Sequence, residues 1–376
     1  MGFFLKKILI VVGTRPEAIK VLPLLIQLKT RSIGHVTIYL TGQHKELLRE
    51  VQLSNYCDEY ITFDRLIPGQ SQFDLLSRLV SDFGQFIEDK TFDLVMVQGD
   101  TSSAAIIAWL SFLAGIPVWH VEAGLRTHDL KQPFPEEGNR RIITSIASFH
   151  FASTEIAKEN LMREGVDQES ILVTGNTVID AINQGKGLRK TQALPSEVQL
   201  NFDMGHDLVL VTVHRRENLG HQLVEICNAL QEIIKLYKNL FICIPVHPNP
   251  KVRKVIYENL SEVDRVVLLE PVSHDLIIQL IGMSHLVLTD SGGIQEETPS
   301  FKKPLLVLRE KTERPEAVKD KFSFMAGTSK ESIIRAFVEV QTNYSEIVLE
   351  MQGKKNPFGD GHAAERIVDK IKNTQL

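Results

Sequence analysis

Three carboxylates, Asp100, Glu122 and Glu136, and five cationic side chains, Arg15, Lys20, His214, Arg215 and Arg314, are the residues of this sequence best suited to chemistry. Carboxylates placed around a reacting carbon take up and return protons. The cations can neutralise a diphosphate, Arg through its planar two-pronged geometry. At roughly 1.5–3 kcal/mol per hydrogen bond to a charged group, three or four such contacts hold a diphosphate firmly. The stretch Leu286-Val287-Leu288-Thr289-Asp290-Ser291-Gly292-Gly293-Ile294-Gln295-Glu296-Glu297 reads as a buried strand, a Ser/Gly turn and the first turn of a helix. Ser291 suits the N-cap, and the two glycines let backbone N–H groups approach phosphate oxygens closely. Glu296 and Glu297 follow within about a turn, where a carboxylate can accept two hydrogen bonds from a ribose diol.

Each of these residues also has a plainer structural reading. Arg15 before Pro16 can shape a turn, and Asp100 can cap the helix that follows it. Glu136-Glu137 near Arg140-Arg141 can be a solvated helix face laced by salt bridges. His120 and His150, at strand ends, read as core or edge histidines, and His247 before Pro248 fits either role.

The elements that position these residues follow a regular rhythm. Apolar runs at 7–12, 36–40, 94–98, 117–121 and 149–152 alternate with helical patterns at 18–29, 45–51, 73–90 and 155–164. This is the βαβ pattern of a parallel sheet covered on both faces. After Gly175-Asn176-Thr177 the pattern loosens, and residues 184–207 read as a crossing between domains. The rhythm resumes with strands at 208–213, 240–246, 266–269, 285–289 and 305–308. A final helix at 363–371 follows a Gly/Pro/Asn-rich stretch, 353–361, long enough to return the tail to the first domain. The expected division is 1–180 with 362–376, and 181–361. Open parallel sheets bind ligands at the carboxyl ends of their strands. The polar stretches Gly13-Thr14-Arg15-Pro16-Glu17, Thr41-Gly42-Gln43-His44, Gly99-Asp100-Thr101, Glu122-Ala123-Gly124-Leu125-Arg126, His214-Arg215-Arg216-Glu217-Asn218 and His247-Pro248-Asn249 all fall there, as does the Ser-Gly-Gly turn.

Bulk properties narrow the chemistry. A chain of 376 residues is too long for one ordinary core, so two domains are expected. A hydrophobic content of 43% with 24% charged residues is that of a soluble globular protein. The formal net charge of -5 argues against nucleic acid or an anionic membrane as partner, so any phosphate binding is local. Cys57, Cys227 and Cys243 are odd in number and lack C-x-x-C spacing, which disfavours a disulfide framework or thiolate zinc site and favours a reducing compartment. The N-terminus runs into a strand at 8–12 without a secretory pattern. Residues 101–119 carry no charge, yet Ser102, Ser103, Ser111, Gly115 and Pro117 make them a buried helix and strand rather than a membrane span.

Several chemistries lack their signatures. There is no G-x-G-x-x-G after the first strand and no G-x-x-x-x-G-K-[ST]. No Tyr has a Lys four residues later, no D-x-D pair is present, and His120-Val121-Glu122 lacks the P-C-x-x-C half of a zinc deaminase. Neither a metal nor a nicotinamide is expected.

The loops resemble the non-hydrolysing bacterial UDP-N-acetylglucosamine 2-epimerases. The resemblance rests on Gly13-Thr14-Arg15-Pro16-Glu17-Ala18-Ile19-Lys20, Gly99-Asp100-Thr101, His120-Val121-Glu122-Ala123-Gly124-Leu125-Arg126-Thr127, Pro135-Glu136-Glu137-Gly138-Asn139-Arg140, Thr174-Gly175-Asn176-Thr177-Val178-Ile179-Asp180, His214-Arg215-Arg216-Glu217, residues 290–297 and Thr312-Glu313-Arg314-Pro315-Glu316-Ala317. It implies an α/β fold of two Rossmann-like domains with parallel sheets in a GT-B-type arrangement, the second binding UDP, with the active site in the cleft between them. It also implies a cytoplasmic homodimer that interconverts UDP-GlcNAc and UDP-ManNAc for cell-surface polysaccharide, with no cofactor, metal, nucleic acid or membrane. Carried over by motif, Arg15, Lys20, Asp100, Glu122, His214, Ser291, Gly292, Gly293, Glu297 and Arg314 take substrate-binding positions. Asp100, Glu122, Glu136 and His214 take catalytic ones. Some relatives bind a second UDP-GlcNAc as activator through residues matching Gln43, Gln70, Arg215 and His247; here Gly69 stands where such enzymes can have Arg. Val272 and Ile277 stand where a Gln and an aromatic face uracil, and Gly138 stands where Ala is usual. Which carboxylate takes the proton and which returns it stays open. The alternatives are a hydrolysing 2-epimerase, a related UDP-acetamido-sugar epimerase and a GT-B glycosyltransferase.

Overall fold

The computed structural model describes residues 6–41, 51–63, 71–188 and 192–374. The chain divides into two compact units, Met1–Gln184 with Phe358–Leu376, and Gly185–Pro357.

The first unit runs β1 (Lys7–Val12), α1 (Arg15–Thr30), β2 (His35–Leu40), β3 (Glu59–Thr62), α2 (Gln72–Glu88), β4 (Leu94–Gln98), α3 (Ser102–Leu113), β5 (Val118–Ala123), α4 (Glu136–Ile146), β6 (Phe149–Ala152), α5 (Glu155–Arg163), β7 (Ile171–Val173) and α6 (Thr177–Leu188). Its strands pair in parallel in the order β3-β2-β1-β4-β5-β6-β7. Side chains alternate faces along a strand, and here both faces are apolar because both are covered. Ile8, Ile10 and Val12 join Leu94 and Met96 against Leu24 and Leu28 of α1 and Ile367 and Ile371 of the C-terminal helix, Ala363–Asn373. Leu9 and Val11 join Val95 and Val97 on the other face, under Leu79 and Phe83 of α2 and Ile107 of α3. The C-terminal helix is fixed at its start by Asp180, whose carboxylate accepts from the N–H groups of Ala363 at 3.2 Å and Ala364 at 2.8 Å, donors with no partner inside the helix.

The second unit runs α7 (Ser196–Asp203), β8 (Asp207–Thr212), α8 (His221–Leu236), β9 (Leu240–Pro245), α9 (Pro250–Leu260), β10 (Val266–Leu269), α10 (His274–Met283), β11 (Leu286–Thr289), α11 (Gly292–Glu297), β12 (Leu305–Val307), α12 (Pro315–Lys319), β13 (Ser323–Met325), α13 (Lys330–Thr342) and α14 (Tyr344–Gln352). Its parallel order is β10-β9-β8-β11-β12-β13. Both units are therefore Rossmann-like, and the strand order reverses between β1 and β4 in one and between β8 and β11 in the other.

The ten strands read from the sequence are all present. The three added ones, β3, β7 and β13, are short pieces at sheet edges, too brief to show an alternation. The units divide a few residues from the expected 180 and 361: α6 continues past 180, and Phe358, fully buried, accepts at its carbonyl from the N–H of Asn176 at 2.7 Å. The helix expected at 45–51 lies, but for Val51, outside the described residues, as do Gly42, Gln43, His44, Gly69 and Gln70. Among the described residues, no helix is long and apolar enough to cross a membrane.

Candidate active site

Ligands of doubly wound sheets lie beyond the carboxyl ends of the strands where the order reverses. In the first unit those loops follow β1 and β4. Arg15, half-buried, is the first residue of α1, and Lys20 lies buried farther along it. The helix start is closed by Glu17, which accepts from the N–H groups of Gly13 and Thr14. Burial pushes the Glu17 carboxyl up to about 7, and those backbone donors offset only part of that rise.

After β4, the hydroxyl of Thr101 caps α3 by accepting from the Ala104 N–H at 3.2 Å, so Asp100 is spared that task. Asp100 Oδ2 instead receives Arg140 Nε at 2.8 Å and Nη2 at 2.6 Å. Asn139 Nδ2 donates to the Asp100 carbonyl at 2.8 Å. The first turn of α4 is thus latched to the β4 loop, and Glu136, half-buried at its first position, is carried there with it. Glu137 and Arg140 do not form the solvated face that their spacing allows. Glu137 is fully buried, accepting from the N–H groups of Thr127 and His128 at 3.1 Å each, while Arg140 Nη1 sits 3.3 Å from it.

Glu122 sits at the end of β5 with φ +66, a left-handed backbone rare for a non-glycine residue. The register of β5 on β6 shifts between Val121 and Ala123, so a bulge re-aims the side chain. Its Oε2 receives Lys20 Nζ at 2.5 Å, Gln98 Nε2 at 2.8 Å and Asn176 Nδ2 at 3.1 Å. Gly124 completes the turn at φ +89, where a Cβ would run into the Ala157 carbonyl. Lys20 therefore supplies Glu122 with a counter-charge. His120 and His150 are core residues as read; burial depresses them to about 4 and about 3.

In the second unit the reversal loops follow β8 and β11. Asp290 is fully buried and accepts from the His214 N–H at 3.0 Å, the Arg215 N–H at 2.9 Å and Asn218 Nδ2 at 2.9 Å, while His214 Nδ1 lies 3.3 Å from its Oδ1. Burial alone would raise the Asp290 carboxyl, but the His214 side chain and the backbone donors outweigh it and hold the carboxyl below its usual range. His214 is oriented by that carboxylate, and the His247 ring stacks on it with centroids 5.3 Å apart. Arg215 Nη2 reaches to 3.9 Å from Glu313.

The Ser-Gly-Gly turn departs from its sequence reading in two ways. Ser291 occupies the N-cap of α11, but its hydroxyl makes no capping bond among the described residues. Gly292 is needed for a different reason: a Cβ there would run into the Arg314 guanidinium. That guanidinium is buried and already shared, with Nε 2.9 Å and Nη2 2.8 Å from Glu296 Oε1 and Nη1 on Glu313. Arg314 and Glu296 thus brace the turn from beneath, whereas a Cβ on Gly293 would meet only Ser291 Oγ, at 3.9 Å, leaving its backbone open to approach. Glu297 is buried, with Oε1 held by His274 Nε2 at 2.7 Å.

A family model described as UDP-N-acetylglucosamine 2-epimerase matches residues 26–372. The chain belongs to this family. It is 39% identical to the UDP-N-acetylglucosamine 2-epimerase of Escherichia coli (strain K12), over 98% of this chain and 99% of that one. A crystal structure of UDP-GlcNAc 2-epimerase from Neisseria meningitidis bound to UDP-GlcNAc is similar with a TM-score of 0.91 at 38% identity, covering 98% of this chain and 100% of that one. The Methanocaldococcus jannaschii UDP-GlcNAc 2-epimerase in complex with UDP-GlcNAc and UDP gives 0.82 at 33% identity, with 98% and 100% covered.

As a member of an epimerase family the chain is an isomerase, and several of its site residues escaped the sequence reading. Gln98 ends β4 and Arg140 sits in α4; only their three-dimensional neighbours, Glu122 and Asp100, reveal what they do. Asn176 and Asp290 lie within the recognised motifs but carry no role in them; for Asp290 the signal that could have found it is a polar residue directly after a buried strand. His274 gave no signal at all. Among the described residues no group of three or more His, Cys, Asp or Glu side chains is placed to hold a metal ion.

Proposed function

We propose that this chain interconverts UDP-GlcNAc and UDP-ManNAc by anti elimination and re-addition of UDP. The C-2 hydrogen of the sugar is not adjacent to a carbonyl, so a carboxylate alone removes it too slowly, and its loss is coupled to departure of UDP. A carboxylate takes the C-2 proton, the C-2 to C-1 double bond forms, and the C-1 to oxygen bond breaks with its electron pair leaving on the diphosphate. UDP then returns to C-1 as a proton is delivered to the opposite face of C-2. The observation that carries this reading is the placement of Asp100 and Glu122 at the carboxyl ends of the adjacent strands β4 and β5, each paired to a buried cation, with Glu136 at the start of the helix that Asn139 and Arg140 tie to Asp100. Arg15, His214 and the open backbone at Gly293 suit the charge that develops on the leaving diphosphate. The 2-acetamidoglucal formed by the elimination must be retained until UDP returns to it. Similarity over both units to a structure bound to UDP-GlcNAc supports it.

The three cysteines are free, in keeping with a reducing, cytoplasmic compartment. A homodimer is also proposed. On α3, Trp109, Phe112 and Leu113 form one face, 44%, 49% and 62% exposed, and Ile142 of the adjacent α4 adds to it.

NMR of UDP-GlcNAc incubated with the chain tests the reaction. UDP-ManNAc should appear without accumulating free ManNAc and UDP. Asp100→Asn, Glu122→Gln and Glu136→Gln should each lower turnover by about 10²–10⁴-fold with the fold intact by circular dichroism. Accumulating UDP would mean a hydrolase, and wild-type turnover in any two variants would refute the assignment of the proton carriers.

A further inference from the structure

The pairing of His274 with Glu297 has no place in the proton transfers above, and neither the motifs nor the charge pattern gave His274 a role. Glu297 ends α11 with its side chain 6% exposed. Its Oε1 is taken by His274 Nε2 at 2.7 Å, while Oε2 is buried and has no hydrogen-bond partner among the described residues. A buried acceptor left unmade costs about 1–3 kcal/mol, and more when it is charged, so a carboxylate kept in this state awaits donors from outside the chain. One carboxylate oxygen has two lone-pair sites and can accept two hydrogen bonds, the requirement of a vicinal diol.

We propose that His274 is a positioning residue: by holding Glu297 Oε1 it fixes Oε2 as the acceptor for the ribose hydroxyls of the bound uridine diphosphate. This rests on the nucleotide-sugar reading given under Proposed function and names a residue which that reading lacked. The geometry suits the role. A carboxylate only accepts, so the shared proton belongs to His274 Nε2 and the bond has one sense. The ring is carried by the first residue of α10, whose start is fixed by the Ser273 hydroxyl accepting from the Leu276 N–H at 3.2 Å, and whose Leu276, Ile278 and Ile281 are buried. The His side chain, 17% exposed, has little freedom to release its partner. The bland reading is an ion pair that merely ties α10 to α11. It predicts a loss of stability and an equal loss of affinity for every nucleotide.

Isothermal titration of the full chain with UDP and with 2′,3′-dideoxy-UDP separates the two. The unaltered chain should bind UDP about tenfold or more tightly than the dideoxy compound. His274→Phe should weaken UDP by about tenfold while leaving dideoxy-UDP within about twofold, a loss of the size expected for one charged hydrogen bond. His274→Gln, which retains an N–H donor, should recover most of that loss. In turnover, His274→Phe should raise KM and leave kcat within about twofold, because the ribose is remote from the reacting carbons. Equal weakening of both ligands by His274→Phe, or no preference for UDP in the unaltered chain, overturns the positioning role alone. Failure of the unaltered chain to bind either nucleotide overturns the reading of the site and this assignment with it.

Discussion

Burial gives Glu17 a pH dependence that can be read in stability. Its carboxyl titrates at about 7 in the folded chain against an ordinary 4.5, so the folded state keeps a proton that the unfolded chain surrenders between those values. Stability therefore falls as pH rises across that window and is level above it, a contribution on the order of 3 kcal/mol. Glu17→Gln keeps an oxygen to accept from Gly13 and Thr14 and removes the titration. Denaturant midpoints at about pH 5 and about pH 7.5 should then differ less than in the unaltered chain, and an unchanged difference would contradict the account. At this scale the sequence showed which side chains bear chemistry but not what each is joined to. Asp100, Glu122 and His214 were legible because they stand at or just beyond the ends of buried strands. Their partners Arg140, Lys20 and Asp290 were not, because a pairing 40 or 102 residues apart is made only by folding. The carboxylate partners of Lys20 and Arg314, Glu122 and Glu296, were hidden for the same reason.

Among the elements, the turn between β11 and α11 is the most constrained. Gly292 lies over the Arg314 guanidinium, whereas a Cβ on Gly293 would make only an ordinary contact with Ser291 Oγ. Gly292→Ala must displace a buried cation from Glu296 and Glu313, at a cost of about 1–3 kcal/mol, whereas Gly293→Ala should leave stability nearly unchanged. Chemical denaturation of the two variants checks this, and equal losses would show that Arg314 is not what the glycine accommodates. The strands themselves were readable because a parallel strand covered on both faces is a continuous apolar run, as in β1 and β8. The bulge that re-aims Glu122 was not, since a left-handed glutamate leaves no mark in composition. The cap of α3 is Thr101 rather than Asp100, which removes the plainer of the two readings of Asp100.

For the whole molecule, two Rossmann-like units follow from chain length and the repeated βαβ rhythm, and the return of the last helix to the first unit follows from the Gly/Pro-rich stretch before it. The face of α3 lies beyond that reading, because the run 102–113 is apolar all round and only the fold separates its buried Ile107 and Ala108 from its exposed Trp109 and Leu113. Placing a charge there with Leu113→Glu should convert a dimer to a monomer in light scattering; a monomeric unaltered chain would refute the dimer. The central claim is that hydrogen transfer at C-2 is tied to departure of the diphosphate at C-1. It is tested most directly by incubating the purified chain with UDP-GlcNAc alone in heavy water and reading C-2 by NMR: deuterium should enter that position in both recovered sugars, and epimerisation with C-2 hydrogen fully retained would contradict it.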